Sequence, residues 1–217
     1  MDFFNKSEQS ILLNAENIIV GFSGGVDSTL VLAATNQFLE AHNKKNCLTA
    51  LHVNHQTQSD SSSWQIHCEK FCKEHNINFS CKSVEIKESG QGYEAAARSA
   101  RLDIFNAFDK ASVIILGHHL DDQVETVFFR VLRGTGLKGL TGMQRHLKIK
   151  DKDFIRPLLH LTKEEIFKQA TEYKLSFIED QSNTDNAYSR NFLRNEIIPQ
   201  ISKRWPGAKK NTARMAN

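Results

Sequence analysis

The stretch Ser23-Gly24-Gly25-Val26-Asp27-Ser28 decides the fold class of this chain. It follows the apolar run 18–20 and precedes 29–34, whose apolar residues are typical of the first turns of a helix. A strand, a glycine turn and a helix start together build an anion site, because glycine adopts φ > 0 and the first N–H groups of a helix lack partners within it. Ser23 and Ser28 add hydroxyl donors. We therefore expect residues 23–28 to bind a phosphate or pyrophosphate.

A missing lysine narrows the chemistry of this loop. No Lys follows the glycines, and G-x-x-x-x-G-K-[ST], which places a Lys on the β- and γ-phosphates, occurs nowhere in the chain. Asp27 instead favours a Mg²⁺-bound pyrophosphate leaving group, with attack on the α-phosphate and transfer of AMP. An ordinary glycine turn capped by serine is the alternative, and the strand–turn–helix context argues against it.

The composition is that of a globular protein. The chain has 217 residues, 40% of them apolar and 24% charged, which predicts one main domain. No apolar run approaches the roughly 18 residues of a membrane span, and residues 1–6 lack the pattern of a signal peptide. We therefore predict a cytoplasmic protein that does not associate with membranes.

The cysteines argue against sulfur transfer. None of the four forms a C-x-x-C pair, which a thiol-based transfer would be expected to use. Cys68 and Cys72 share a helical stripe with Trp64 and Phe71, so we predict that they pack in the core.

Apolar runs alternate with helical periods along the chain. Strands are predicted at 18–22, 48–53, 79–86, 112–117 and, more briefly, near 154–155. Helices are predicted at 27–42, 63–75, 93–108, 121–132 and 163–174, the last with a capping box formed by Thr162 and Glu165. This alternation predicts an α/β fold, a doubly wound parallel sheet with helices on both faces. We expect residues 133–153 to form a long irregular connection.

Three polar segments follow the predicted strands and should meet at one edge of the sheet. These are the loop 23–28, the segment 52–55 and the segment 117–122. Ligands bind at the carboxyl ends of the strands in such sheets, so the three segments predict a single site.

The densest polar cluster contains His118, His119, Asp121, Asp122 and Glu125. We favour a substrate pocket whose carboxylates bind the ammonium of an amine and help to deprotonate it, with His118 and Asp122 facing one pocket. A zinc site and a helix N-terminus stabilised by acidic residues are the alternatives.

Arginines elsewhere suggest contacts with phosphates. Glu94, Arg98 and Arg101 share one helix face, either as a solvent-facing ion-pair row or with an arginine beside the reacting α-phosphate. Arg190 and Arg194 lie four apart and can bind phosphates together.

Two basic segments are candidates for an anionic partner. Residues 134–139 match G-x-G-x-x-G but follow a helix, so a dinucleotide site fails its context, and a flexible loop near an anionic partner fits better. Residues 186–217 hold seven Lys and Arg against Glu196 alone, which indicates either a nucleic-acid contact or a solvated basic tail.

Taken together, these segments resemble the tRNA(Ile)-lysidine synthetase family of the PP-loop ATP pyrophosphatases, whose fold is of the adenine nucleotide alpha hydrolase-like type. The most specific block is His-His-Leu-Asp-Asp-Gln-Val-Glu-Thr at 118–126, followed by Arg-Gly-Thr-Gly-Leu-Lys-Gly-Leu at 133–140 and Arg-Asn-Phe-Leu-Arg at 190–194. The remaining matches span most of the chain and lie at 23–28, 51–55, 92–105, 155–159 and 179–199. A departure is Thr57-Gln58, where family members often carry Leu-Arg or a similar pair.

The resemblance implies a specific reaction. The family uses ATP and Mg²⁺ to adenylate O2 of the wobble cytidine, position 34, of tRNA(Ile) with anticodon CAU. The ε-amine of free L-lysine then attacks C2 and expels AMP, which leaves lysidine in the tRNA. The other hypotheses are a different PP-loop adenylating enzyme, such as a tRNA 2-thiolation enzyme, and a non-catalytic nucleotide- or RNA-binding module.

The resemblance also implies roles for individual residues. The ATP-binding set is Ser23, Gly24, Gly25, Val26, Asp27 and Ser28, with Asp27 near the metal. Asp122 and His118 would orient the cytidine or the lysine amine, and Arg98 and Arg190 would act on the phosphate or tRNA side. The residues expected to contact tRNA are Arg133, Lys138, Arg190 and Arg194.

The resemblance also predicts the domain organisation. Residues 1–185 would form the ATP-binding catalytic domain, and 186–217 a basic helical segment leading to the C-terminal tRNA-binding domains that many members carry. A monomer and a homodimer are both open.

Overall fold

The computed structural model describes residues 1, 3–54, 61–84, 93–108, 112–179, 185–186 and 188–216. Within helices it describes the backbone but not the side chains of residues 61, 62, 93–95, 97, 98, 101, 106, 137 and 138. The strands are β1 (Asn17–Gly21), β2 (Leu48–Asn54), β3 (Asn78–Ser83), β4 (Ser112–Ile115), β5 (His146–Ile149) and β6 (Lys152–Ile155).

Helices connect and follow these strands. They are α1 (Lys6–Asn14), α2 (Val26–Ala41), α3 (Ser61–Glu74), α4 (Tyr93–Asn106), α5 (Leu120–Leu132), α6 (Leu137–Leu140), α7 (Lys163–Glu172), α8 (Ser189–Phe192), α9 (Ile198–Arg204) and α10 (Ala208–Met215). A π-helical turn, Leu193–Ile197, joins α8 to α9.

The strands form one sheet in the order β3-β2-β1-β4-β6-β5. β1 pairs in parallel with both β2 and β4, and β5 pairs antiparallel with β6 at the edge. The predicted α/β class with a doubly wound sheet is therefore confirmed, with an antiparallel edge strand added. The strand order reverses direction beside β1, and such a switch point is where α/β sheets bind ligands.

Side chains of the central strand enter two separate cores. Ile18 and Val20 lie in one hydrophobic cluster with Leu30 of α2, while Ile19 lies in another with Phe105 of α4. Successive side chains of a strand point to opposite faces, so both faces of β1 are covered by helices. This explains the continuous apolar run 18–20.

Two parts of the chain differ from the sequence expectations. The prediction that 133–153 is irregular is wrong, because α6 and β5 lie within it. β5 is held by its pairing with β6, where His146 Nε2 also lies 2.7 Å from Asp153 Oδ1. The sequence analysis also missed α1, although Asn5 and Glu8 form a capping box at its start.

α1 is fastened to a distant part of the chain. Glu8 is fully buried, and its two oxygens accept hydrogen bonds from Nε and Nη2 of Arg145 at 2.7 and 2.9 Å. Arg145 Nη2 also donates to the carbonyl of Phe3 at 2.6 Å. The segment before β5 therefore anchors the N-terminal helix.

The C-terminal helices pack on α5. Leu193, Ile198 and Ala213 share a buried cluster with Leu120 and Val124 of α5. Residues 188–216 thus contribute to the core beside the first turns of that helix.

Candidate active site

The loop after β1 has a conformation that needs glycine. Gly24 has φ +88°, and its carbonyl accepts the Ile178 N–H at 2.9 Å. A Cβ at Gly24 would lie 3.0 Å from Cys68 Sγ, so space as well as backbone conformation excludes a side chain. Gly24 therefore allows the loop to turn tightly after the end of β1.

Hydroxyl groups of the loop brace it from within. Ser28 Oγ donates to the Gly25 carbonyl at 3.0 Å and lies 3.1 Å from Ser23 Oγ. Thr29 Oγ1 also donates to the Gly25 carbonyl, at 2.9 Å. Gly25 is the N-cap of α2 and, within the described part of the chain, no side chain caps this end. The first turn of α2 thus presents N–H groups that suit an anion.

Gly117 brings the end of β4 against this loop. A Cβ at Gly117 would lie 3.0 Å from the backbone C and O of Asp27 and 3.1 Å from the Ser28 nitrogen. Backbone atoms cannot yield as a flexible side chain can, so only glycine allows the two segments to pass so closely. As a result, the segment that follows β4 meets the loop, and His119 Nε2 lies 3.7 Å from Asp27 Oδ1.

His119 lies among three carboxylates. Its ring is buried, with Nε2 3.7 Å from Asp27 Oδ1 and 3.5 Å from Asp122 Oδ2, and Nδ1 3.8 Å from Asp121 Oδ2. It also caps α5, because its backbone N–H donates to Asp122 Oδ2 at 3.0 Å while the Asp122 N–H donates to Nδ1 at 3.4 Å. The geometry holds one imidazole between the loop and the start of α5.

The sequence analysis assigned the catalytic role to the neighbouring histidine, His118. In the structure, Nδ1 of His118 accepts a hydrogen bond from Arg156 Nε at 3.3 Å. The contacts with Asp27 and Asp122 are made by His119, which was named in the cluster but not among the site residues. The role of His118 stays a prediction.

Asp27 has an unusual environment for a carboxylate. Its Oδ1 is buried and has no hydrogen-bond partner among the described residues. Burial raises the pKa of Asp27, the charge of Asp122 raises it further, and His119 and Lys163 oppose both effects. A buried acceptor without a partner is costly, and a cation would relieve that cost.

Glu125 and Arg194 form a buried pair behind Asp122. Arg194 Nε lies 2.6 Å from Glu125 Oε1, Nη2 lies 2.9 Å from Oε2, and Glu125 is 1% exposed. Nη2 also lies 3.6 Å from Asp122 Oδ1. Burial raises the pKa of Glu125, and the two bonds from Arg194 offset part of that effect.

Asp121 faces the C-terminal helix. It accepts hydrogen bonds from Lys209 Nζ at 2.7 Å and from the Lys163 N–H at 2.8 Å. Burial acts to raise the pKa of Asp121, but these two donors outweigh it and hold the pKa below its ordinary value. The carboxylate is therefore ionised and committed to protein partners.

Of the other predicted site residues, Arg133 and Arg190 lie over Phe129 of α5, and two have side chains outside the described part. The guanidinium carbons of Arg133 and Arg190 lie 4.3 and 5.7 Å from the ring centre of Phe129. The side chains of Arg98 and Lys138 lie outside the described residues, as does Thr57-Gln58.

The prediction that Cys68 and Cys72 pack in the core is confirmed. Cys68 and Cys72 are fully buried in the core, and burial raises the pKa of each thiol to about 12. Thiols in that state are not the reactive thiolates of sulfur chemistry. Nor does the described part contain a group of three or more His, Cys, Asp or Glu side chains that could hold a metal ion.

None of the described helices is long and apolar enough to cross a membrane.

The chain is similar to three curated proteins named tRNA(Ile)-lysidine synthase. The Legionella pneumophila (strain Lens) protein is 40% identical over 93% of this chain and 46% of its own length, and the Histophilus somni (strain 2336) protein is 40% identical over 87% and 44%. The Escherichia coli O157:H7 protein is 37% identical over 94% and 48%. The chain thus spans about half the length of the curated relatives it matches.

A solved structure shares the fold. The U34-tRNA thiolase NcsA from Methanococcus maripaludis, determined with its [4Fe-4S] cluster, superposes with a TM-score of 0.70 at 20% identity. The match covers 96% of this chain and 76% of that one, and at this identity it concerns the fold alone. A family model described as the PP-loop domain matches residues 2–201. Since that match covers most of the chain, including the loop at 23–28 and the cluster at 118–125, the chain belongs to the PP-loop domain family.

Proposed function

We propose that this chain carries the catalytic portion of an ATP-dependent ligase that joins L-lysine to C2 of cytidine 34 in tRNA(Ile) with anticodon CAU. The observation that carries the proposal is the buried Oδ1 of Asp27 at the start of α2. It has no hydrogen-bond partner among the described residues and lies 3.7 Å from Nε2 of His119. Relatives at 40% identity carry the name tRNA(Ile)-lysidine synthase, which supports tRNA(Ile) as the RNA substrate. L-lysine and the CAU anticodon are what the resemblance of the sequence motifs implies. Residues 1–185 would form the catalytic domain, and the protein would act in the cytoplasm, where its tRNA substrate is found.

The first step would transfer AMP to the tRNA. The N–H groups at the start of α2 and the hydroxyls of Ser23 and Ser28 would bind the phosphates of ATP. Asp27 Oδ1 fits a Mg²⁺ ion, which when bound would neutralise charge on the leaving pyrophosphate. O2 of the cytidine attacks the α-phosphorus, the bond to the β-phosphate oxygen breaks, and pyrophosphate leaves.

The second step would consume lysine. The ε-ammonium would give a proton to the Asp122 carboxylate, its nitrogen would bond to C2, the C2–O2 bond would break, and AMP would depart with that oxygen. We assign to Asp122 the role of orienting the lysine amine. His119 would fix the relative positions of Asp27 and Asp122, because its ring lies between their carboxylates. Arg98 and Arg190 would act on the phosphate side, and Arg133 and Lys138 would contact tRNA.

The thiolation alternative has less support. The described thiols nearest the loop, Cys68 and Cys72, are buried and carry pKa values of about 12. A non-catalytic binding module is a sharper rival, since the same loop would serve it equally well.

The test is incorporation of labelled lysine into tRNA(Ile) with anticodon CAU, with AMP release followed in parallel and a U34 transcript as control. Incorporation that requires C34 is the expected result. Asp27→Asn should lower the rate about 100-fold or more, as expected for loss of a group that stabilises developing charge. Asp151→Asn, in the exposed turn between β5 and β6, is the matched control and should leave the rate unchanged. Full ATP and RNA binding without AMP release would instead identify a binding module.

A further inference from the structure

Arg194 contacts the candidate site through another residue. It lies in the π-helical turn Leu193–Ile197, and its guanidinium forms two parallel hydrogen bonds with the Glu125 carboxylate, at 2.6 and 2.9 Å. Such forked pairing fixes the plane of both groups. Glu125 is 1% exposed, so its carboxylate is sheltered from water, while the Arg194 side chain is half-buried.

The Arg194 guanidinium also lies close to Asp122, the residue that we propose orients the lysine amine. Asp122 precedes Glu125 by three positions, so the two carboxylates share one face of α5. Arg194 Nη2 lies 3.6 Å from Asp122 Oδ1, while the other oxygen of Asp122 accepts the His119 N–H at 3.0 Å. Asp122 is thus held between the cap of its own helix and a cation from the C-terminal segment.

The phosphate-binding role predicted for Arg194 conflicts with this geometry. The side chain is 27% exposed, and two of its three nitrogens bond to Glu125. A phosphate that recruited those nitrogens would leave the Glu125 carboxylate buried and uncompensated, which is strongly unfavourable.

We propose that Arg194 is a positioning residue, which acts on the reaction through Glu125 and Asp122 and does not bind the RNA backbone. The inference rests on the proposed function for the identity of the reaction. The proposal makes the turn that carries Arg194, in the segment after residue 185, part of the candidate active site.

The experiment compares Arg194→Met, Arg194→Lys, Glu125→Gln and the Arg194→Met/Glu125→Gln double variant in the full chain. For each variant, kcat is expressed per folded molecule, with the folded fraction measured by Mg²⁺-ATP binding. KM for tRNA is taken from the same rates, and the Kd for tRNA is followed across salt concentrations. Arg133→Gln serves as the comparison for a phosphate contact. Lys70→Gln, in an exposed ion pair of α3, serves as the neutral control.

A positioning role predicts a selective effect. Arg194→Met should lower kcat per folded molecule by about 10-fold or more, as expected for a displaced reacting group, with tRNA affinity and its salt dependence unchanged. Arg194→Lys should recover part of the rate. The double variant should be no slower than Arg194→Met, because both changes remove the same interaction.

Three results would overturn the proposal. Weaker tRNA binding with a salt slope reduced by about 1 would identify Arg194 as a phosphate contact. Full activity per folded molecule would leave only a structural role. Additive effects of Arg194→Met and Glu125→Gln on kcat would show that the two residues act independently.

A spectroscopic measurement separates this proposal from the proposed function. If the unaltered chain incorporates no lysine, the proposed function fails, and the positioning role is decided by NMR. Arg194 Nε–H should give a slowly exchanging signal that is lost in Glu125→Gln, together with faster exchange of the Asp122 amide. Absence of that signal in the unaltered chain would refute the pairing.

Discussion

Gly117 shows how one residue without a side chain can set a site. A Cβ at this position would lie only 3.0 to 3.1 Å from backbone atoms of Asp27 and Ser28. The end of β4 and the start of α2 therefore depend on a close backbone contact at Gly117. The sequence alone shows only that a glycine precedes two histidines, and it does not reveal that contact.

We expect Gly117→Ala to weaken Mg²⁺-ATP binding and to destabilise the chain by about 1–3 kcal/mol, because overpacking against backbone forces the first turn of α2 to move. Calorimetric titration with Mg²⁺-ATP and urea unfolding measure the two effects. The matched control is Gly207→Ala, whose Cβ would meet only the Asn211 side chain at 3.4 Å. Equal ATP affinity in both variants would contradict the argument.

The two adjacent histidines mark the limit of sequence reasoning at this scale. The sequence placed the helix start at Asp121, whereas α5 begins at Leu120. That single step makes His119 the N-cap and brings its ring against Asp27 and Asp122. Helix ends are poorly specified by local sequence, so the choice between His118 and His119 depended on tertiary geometry.

At the scale of elements, strong local patterns were readable and short elements were not. The run 18–20 and the capping box at Thr162 both predicted what the structure contains. β5 has only four residues, and its side chains are exposed or half-buried, so pairing with β6 decides its structure. The Arg194–Glu125 pair joins residues 69 positions apart, and no local pattern encodes such a contact.

The link between α10 and α5 gives a prediction about pH. Lys209→Gln removes the 2.7 Å bond to Asp121 and should destabilise the chain by about 1 kcal/mol at neutral pH, a modest value because Lys209 is partly exposed. The pKa of Asp121 lies below its ordinary 3.8 in the folded chain. This stabilisation is therefore complete above 3.8 and is lost as the pH falls through the lowered pKa.

Urea unfolding of both proteins across this range provides the measurement. The difference between Lys209→Gln and the unaltered chain should be constant from neutral pH to about pH 5 and should shrink in acid. Lys45→Gln, which disrupts a surface pair with Glu40, is the control and should have a smaller effect. A difference that grows in acid would contradict the assignment of Asp121 as the ionised partner.

At the scale of the whole molecule, and among the described residues, the C-terminal helices pack on α5 and not on the phosphate loop. α10 packs on α5 through Ala213 and supplies Lys209 to Asp121. The loop at 23–28 is instead held by α2, by Gly117 and by the Ile178 N–H.

A chain that ends at Arg204 should separate these contributions. We expect its Tm to fall by roughly 5 °C, corresponding to about 2 kcal/mol for a chain of this size, and by more than that of Lys209→Gln, which removes the ion pair alone. Mg²⁺-ATP affinity should persist, because the phosphate loop keeps its contacts. Loss of ATP binding by the folded shorter chain would show that the two regions are inseparable.

The anchoring of α1 has a consequence for synthesis on the ribosome. Glu8 leaves the exit tunnel long before Arg145, which follows it by 137 residues. Until that guanidinium is available, docking α1 would bury a carboxylate without its counterion, so we expect the nascent N-terminal helix to remain undocked while β1, β2 and β4 assemble. α1 would then be secured later than strands that follow it in the chain.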